Sequence, residues 1–177
     1  KGFPYTLADL IGAHEDASAW QAGYFVTLRL SSSMYHRFHA PHDCTVERVR
    51  YFSGDTWNVN PIALKRVEKL FCKNERAMLE MEIGAQRHPV ALVPVAAVLV
   101  ASIRLHALDT LLHTRYQGPA VMTCDAAFHK GEELGWFQHG STILVFTPPD
   151  FAFAPGLEDG RVLRMGQALM QLPQQAA

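Results

Sequence analysis

Period-two alternation of apolar and polar positions runs through most of the chain. Tyr24-Phe25-Val26-Thr27-Leu28-Arg29-Leu30 is rich in aromatic and β-branched residues, the signature of a half-buried strand. Residues 45–51, 77–83, 90–103 and 142–146 read the same way. The longest apolar run, PVALVPVAAVLVASI at 89–103, is broken by Pro94 and too short to cross a bilayer as a helix, so it predicts buried strand. Helical spacing occurs twice. Leu7, Leu10, Ile11 and Trp20, with Thr6 as cap, predict one short helix or a helix plus turn over 7–22. Over 61–70 Pro61 sits in a tolerated first turn and Ile62, Leu64 and Val67 recur on one side. Ser-, Gly- and Pro-rich turns at 31–33, 53–55, 118–119, 130–131 and 147–150 punctuate the rest. The tail, 171–177, shows no apolar face and is expected to fray. The pattern predicts a mainly β (α+β) fold, a barrel-like or sandwich-like single domain over 1–177 with a few short helices.

Composition narrows the class. At 177 residues, with 49% apolar and 19% charged positions, the chain suits one compact core and not disorder. A net charge of −1 with no basic cluster gives no electrostatic hold on a phosphate backbone, so nucleic acid is not expected as a partner. Cys44, Cys72 and Cys124 lack CxxC spacing, which suggests neither a disulfide framework nor a thiolate zinc site and fits a reducing compartment. No signal segment is legible at Lys1-Gly2-Phe3-Pro4, and the chain is expected to begin inside something larger. Nine histidines are many for this length and direct attention to proton handling.

Two stretches carry candidate chemistry. Tyr35-His36-Arg37-Phe38-His39 holds two imidazoles three positions apart; they share a face on a helix and diverge at a strand end. Hydrogen-bonded structural histidines are the plain alternative. No third ligand is spaced to join them, so no metal site is expected. The second stretch runs from Lys130-Gly131-Glu132 into Gly140-Ser141-Thr142 at the mouth of a strand. Taken alone it reads first as a turn; it is also what an intramolecular acyl shift needs: an unhindered glycine carbonyl followed at once by a hydroxyl nucleophile, with a histidine as base.

Taken together, Lys1-Gly2, Tyr5, Leu7 and Leu10, Gly23-Tyr24-Phe25, residues 35–41, Gly54-Asp55 with Val59-Asn60, Leu70-Phe71 with Asn74-Glu75-Arg76, and Lys130-Gly131-Glu132 through Gly135, Phe137 and Gly140-Ser141-Thr142 resemble the catalytic core of the phosphatidylserine decarboxylase family nearly end to end. The resemblance implies a self-processing, pyruvoyl-dependent decarboxylase that turns phosphatidylserine into phosphatidylethanolamine and CO2 by Schiff-base chemistry. It implies attack of Ser141 on the Gly140 carbonyl, a β chain of 1–140 and an α chain of 141–177 that stay associated, and a covalent pyruvoyl cofactor (pyruvate) made from Ser141. By the same resemblance His39 is the base that activates the serine. His36 is assigned to the substrate end, for carboxylate handling or protonation of the carbanion. Arg37, Arg76 and Asn60 are candidate substrate contacts, the two arginines as forks for a carboxylate or phosphate, with ordinary ion pairs as the alternative. The cofactor chemistry has its own logic: an α-keto carbonyl is an electron sink for the charge that loss of CO2 leaves behind.

The resemblance also implies a phospholipid substrate and a membrane-associated location, at the cytoplasmic side of a bacterial inner membrane or an organellar equivalent, and leaves a homodimer open. Trp57, Trp136, Phe151 and Phe153 are candidates for a lipid-facing mouth or for core packing. Several positions depart from the family pattern. The family's processing aspartate belongs to a Pro-x-Asp-Gly segment upstream of these residues, as does its amphipathic membrane-seating segment. Asp43 is a local substitute for that aspartate or a turn residue. Met34 stands for an aspartate, Val95-Ala96-Ala97 and Val100-Ala101 for glycine-containing segments, and His139 for a leucine. Two rival readings follow: the same chemistry on another serine lipid or amino acid, or a non-processing barrel-type binding paralogue.

Overall fold

The computed structural model describes residues 3–12, 17–31, 33–97, 102–138 and 141–173. Three short helices, α1 (Leu7–Ile11), α2 (Pro61–Arg66) and α3 (Leu70–Lys73), accompany twelve strands. The strands are β1 (Tyr24–Leu30), β2 (Arg37–His39), β3 (Cys44–Phe52), β4 (Arg76–Ile83), β5 (His88–Val95), β6 (Ser102–Leu105), β7 (Thr110–His113), β8 (Val121–Phe128), β9 (Glu133–Phe137), β10 (Ser141–Thr147), β11 (Ala152–Phe153) and β12 (Met170–Gln171).

A six-stranded antiparallel sheet has the order β1-β10-β5-β4-β3-β8, a four-stranded sheet the order β2-β9-β6-β7, and β11 pairs with β12. The central strands of the larger sheet are buried on both faces, and strand alternation sorts their side chains. Leu79, Met81, Val90, Leu92, Ile143 and Val145 meet Phe38, Ile103, Leu105, Leu112, Leu134 and Phe137 of the smaller sheet in one core. Met78, Ala91, Val93, Leu144 and Phe146 point the other way, onto Leu10, Ile11, Trp20, Leu70 and Phe71. A bulge between Val46 and Arg48 lets Val46 and Val49 both face inward despite their odd spacing. The mainly β expectation is met in its sandwich form: among the described residues the six-stranded sheet ends at β1 and β8 and closes into no barrel.

The first helix is capped by Thr6 as expected, through a box with Asp9, and ends at Ile11 because Gly12 turns the chain at φ +100°; residues 13–16 lie outside the described residues and 18–22 form turns, the helix-plus-turn form of the expectation. Other local expectations need correction. The helix read over 61–70 is two helices, since Lys69 adopts φ +49° between them, and Ile62 faces solvent at 63% exposure. The apolar run 90–103 divides between two sheets, β5 and β6, with 98–101 outside the described residues. Gln171 pairs with Ala152 and Leu172 packs on the inter-sheet core, so the tail is tied down to that point; residues 174–177 lie outside the described residues.

Candidate active site

Ser141 opens β10, the strand flanked by β1 and β5, and is the register partner of Leu30. Leu30 packs against the inter-sheet core, as Ile143 and Val145 do further along β10. On the other side Thr142 pairs with Val95, which pairs in turn with Arg76. One step further, at the level of Ser141, the Ala96 N–H donates to the Glu75 carbonyl at 2.8 Å. A single row across the sheet therefore holds Ser141, Ala96 and Glu75, two strand spacings or about 10 Å from end to end. Gly140 and His139 lie outside the described residues. Ala96, where the family pattern has glycine, is 1% exposed, so its methyl is packed in the core between the two ends of that row.

Glu75 is fully buried and was not singled out as a site residue from the sequence. Its Oε1 lies 2.8 Å from Tyr51 Oη, and that hydroxyl lies 2.9 Å from the His113 carbonyl oxygen. Its Oε2 is buried without a hydrogen-bond partner among the described residues. Burial pushes the Glu75 carboxyl up to about 7, with the Tyr51 hydroxyl pulling the other way. Burial and the neighbouring Glu75 raise the Tyr51 phenol as well. The usable sequence signal was a carboxylate set between Asn74 and Arg76 at the entry to an apolar strand.

The two candidate histidines sit on and beside β2, at an edge of the smaller sheet. His36 accepts the Phe137 N–H through its backbone carbonyl at 2.9 Å, and so stands beside the end of β9, whose chain leads to Ser141. His39 pairs with Glu133 at the far end of that strand. Each ring has Nδ1 on a backbone carbonyl: His36 on Met34 at 2.5 Å, His39 on Gly131 at 2.8 Å. A carbonyl accepts only, so both carry the proton on Nδ1 when neutral and keep a basic lone pair on Nε2. His39 Nε2 lies 2.7 Å from Tyr35 Oη, with the two rings stacked at 5.7 Å. His36 Nε2 is buried and unpartnered among the described residues.

The remaining candidates are dispersed. Arg37 is bound through Nη1 to both oxygens of Glu133, at 2.8 and 2.7 Å, and His106 Nε2 reaches the same carboxylate at 2.8 Å. Bonds from His106 and Arg37 hold that carboxyl below its usual range. Arg76 is a buried strut: Nε donates to Leu10 O at 2.9 Å, Nη1 to Cys72 O and Asn74 O at 2.6 and 3.3 Å, Nη2 to Asp9 O at 3.3 Å, and the guanidinium lies 4.3 Å over Phe52. With its donors so committed, it offers no fork to a ligand. Asn60 caps α2, accepting the Ala63 N–H at 2.8 Å. Asp43 accepts the Lys130 N–H at 2.8 Å and pins the β8–β9 turn; that bond is the main cause of its lowered carboxyl pKa. A cavity of about 510 Å³ opens there, lined by His42, Asp43, Gly84, Arg87 and His129, and includes none of the residues around Ser141. Phe151 is core at 5% exposure, whereas Trp57 and Phe153 are exposed. No cluster of three metal-ligating side chains occurs among the described residues. No helix among them is long and apolar enough to cross a membrane.

The sequence profile of the family described as Phosphatidylserine decarboxylase matches residues 1–171. The chain is similar to the phosphatidylserine decarboxylase proenzyme of Aliivibrio fischeri (strain ES114), 38% identical over 94% of this chain and 60% of that protein. It is similar also to the proenzymes of Shewanella sp. (strain ANA-3), at 36% over 100% of the chain and 63% of that protein, and Shewanella frigidimarina, at 37% over 99% and 63%. The chain thus spans about three fifths of the length of the curated relatives it matches.

Proposed function

Because the chain belongs to the phosphatidylserine decarboxylase family, we propose that it is the catalytic part of a self-cleaving decarboxylase converting phosphatidylserine to phosphatidylethanolamine and CO2. Ser141 attacks the Gly140 carbonyl, the peptide bond becomes an ester, and β-elimination releases the β chain, 1–140, as its carboxylate and leaves dehydroalanine at the head of the α chain, 141–177, where addition of water and loss of ammonia give the keto end. The pyruvoyl carbonyl left at residue 141 supplies an electron sink for the charge that departing CO2 leaves on the substrate. The observation that carries this reading is the seat of Ser141 at the head of β10, paired through β1 and β5 on both sides. A cut before it frees a chain end in the row of Glu75 without releasing the strand.

The residues present suit that group. A buried polar atom without a partner among the described residues, His36 Nε2, is a candidate group for it or for a head group. His39 is the base for cleavage by resemblance, supported by its carbonyl-fixed tautomer. His36, with a buried basic Nε2, handles the substrate carboxylate or returns the proton. The strand register favours a second assignment, in which His36, bonded to Phe137, serves cleavage and His39 serves turnover. Arg37 is the remaining candidate contact for an anionic head group, in competition with Glu133. A lipid substrate implies work at a membrane surface. The test is CO2 release by the full-length chain from phosphatidylserine vesicles against free serine, with Ser141→Ala as control: release from the lipid, lost in the variant, supports the reading, and release from neither rejects it.

A further inference from the structure

Proton accounting at Tyr51 points beyond the histidines. The Tyr51 hydroxyl lies against two acceptor oxygens, Glu75 Oε1 at 2.8 Å and His113 O at 2.9 Å, with the Ser53 hydroxyl as a further hydrogen-bond partner, yet owns a single proton. The carbonyl only accepts, and it also takes the Tyr116 N–H at 2.7 Å. If Tyr51 donates to Glu75, its one proton is shared with or withheld from the His113 carbonyl; each contact has a full proton of its own when Tyr51 donates to His113 and Glu75, as a carboxylic acid, donates to Tyr51. An ionised Glu75 would leave one contact without a full proton of its own and a bare charge on Oε2, which is buried and unpartnered among the described residues.

The charged groups nearby do not alter this. Tyr51 faces Glu75 from β3, with the Tyr116 ring edge-on behind it at 5.2 Å. The Asp55 carboxylate is turned to Trp57 Nε1 at 3.1 Å, and Arg76 is held on the opposite face of β4 by the Leu10 and Cys72 carbonyls. No cation among the described groups compensates Glu75, and burial raises its pKa accordingly.

We infer that Glu75 is a positioning residue for the reaction at Ser141: as a neutral acid it fixes the Tyr51 hydroxyl and keeps the Ser141–Ala96–Glu75 row free of negative charge, so that ionising it closes the site to an anionic substrate. The inference rests on the decarboxylase reading and adds to it the group that sets the basic limit of activity. A substrate that enters with its carboxylate intact meets no repulsion while Glu75 is protonated, and meets an unscreened like charge about 10 Å away in a low-dielectric interior once it is not.

The experiment compares the full-length chain with Glu75→Gln, whose amide donates to Tyr51 as the neutral acid does and does not titrate. Between pH 6 and pH 8.5 CO2 release from phosphatidylserine vesicles falls by about thirtyfold in the wild-type chain and by no more than about twofold in the variant. A variant that follows the wild-type profile overturns the inference alone. A wild-type chain that neither cleaves nor releases CO2 overturns the decarboxylase reading and this inference with it. A readout independent of turnover, and of whether Glu75→Gln folds, is the carbon-13 titration of glutamate carboxyls in the uncleaved Ser141→Ala chain. One carboxyl with a midpoint near neutrality supports the inference, and midpoints all below about pH 5.5 overturn it.

Discussion

Leu30 and Ser141 face each other across the β1–β10 ladder, and the next residue, Thr142, is paired on the opposite side to Val95. The proposed scissile bond therefore abuts a strand that is hydrogen-bonded on both edges. Cleavage should leave two chains that copurify under native conditions and separate only in denaturant. Ser141→Ala should give one uncleaved band, no CO2 release and an unfolding free energy within about 1 kcal/mol of the parent, because a hydroxyl is removed without disturbing the ladder. Native gel filtration beside a denaturing gel checks cleavage and association, a CO2 assay the turnover and a urea titration the stability.

The histidines give a paired prediction. His39→Ala should block cleavage, and His36→Ala should leave cleavage intact while lowering CO2 release at least tenfold, the scale of a lost general acid or base. Band ratios on a denaturing gel, followed by turnover assays on the cleaved material, separate the two steps. If the phenotypes are exchanged, the assignment favoured by the Phe137 contact of His36 is the correct one and the family chemistry stands.

Glu75 makes stability fall with rising pH. Its folded-state pKa of about 7 lies above the ordinary carboxyl value of 4.5, so between those values the unfolded chain has released a proton that the folded chain still holds. The stabilising difference is complete below the unfolded value and declines by about 1.4 kcal/mol per pH unit until the folded group ionises. Urea unfolding of the Ser141→Ala chain at pH 5 and pH 7.5 should show this component, and adding Glu75→Gln should remove it.

Arg76 should prove structural. Arg76→Met keeps the stem and abandons the carbonyls of Leu10, Cys72, Asn74 and Asp9, at a cost of about 3 kcal/mol for buried acceptors left unpaired. Hydrogen exchange should speed up in α1 and α3 before the sheets, while KM per folded molecule stays unchanged. A rise in KM without loss of stability would return Arg76 to the substrate.

Gly135 sets the spacing beneath the histidines. A methyl there would lie 2.1 Å from the Arg104 carbonyl oxygen and 2.7 Å from Phe38, inside the β6–β9–β2 ladder. Gly135→Ala should destabilise the chain by about 1–3 kcal/mol and reduce cleavage by displacing His36 and His39 together. A thermal melt with a cleavage time course tests both effects.

The edge strand β1 and the inner strands β3, β4 and β10 were legible because they carry large apolar residues at period two, and the inner ones fill the two faces of one sheet. β8 was not, since Thr123, Cys124, Ala126 and Ala127 on an edge strand supply little apolar contrast. β9 was hidden by Glu133 and Gly135, whose fitness for a strand comes from Arg37 and from close packing, both long-range facts. The split of 90–103 between two sheets could not be read from an apolar run whose hydrophobicity is continuous. At the site, Ser141 and the histidines are legible as candidates through the Gly-Ser-Thr and Tyr-His-Arg-x-His motifs. Arg76 and Asn60, read as candidate substrate contacts, are held here as an interior strut and a helix cap, partnerships that the sequence alone does not display. Glu75 and Tyr51 are 24 residues apart, and only the β3–β4 pairing brings their oxygens together.

Intact mass spectrometry of the purified full-length chain under denaturing conditions tests the central claim most directly. The account predicts two polypeptides divided between Gly140 and Ser141, the second beginning with a group that lacks an amine and is reducible by borohydride. A single unbroken polypeptide that nevertheless releases CO2 from phosphatidylserine would contradict it.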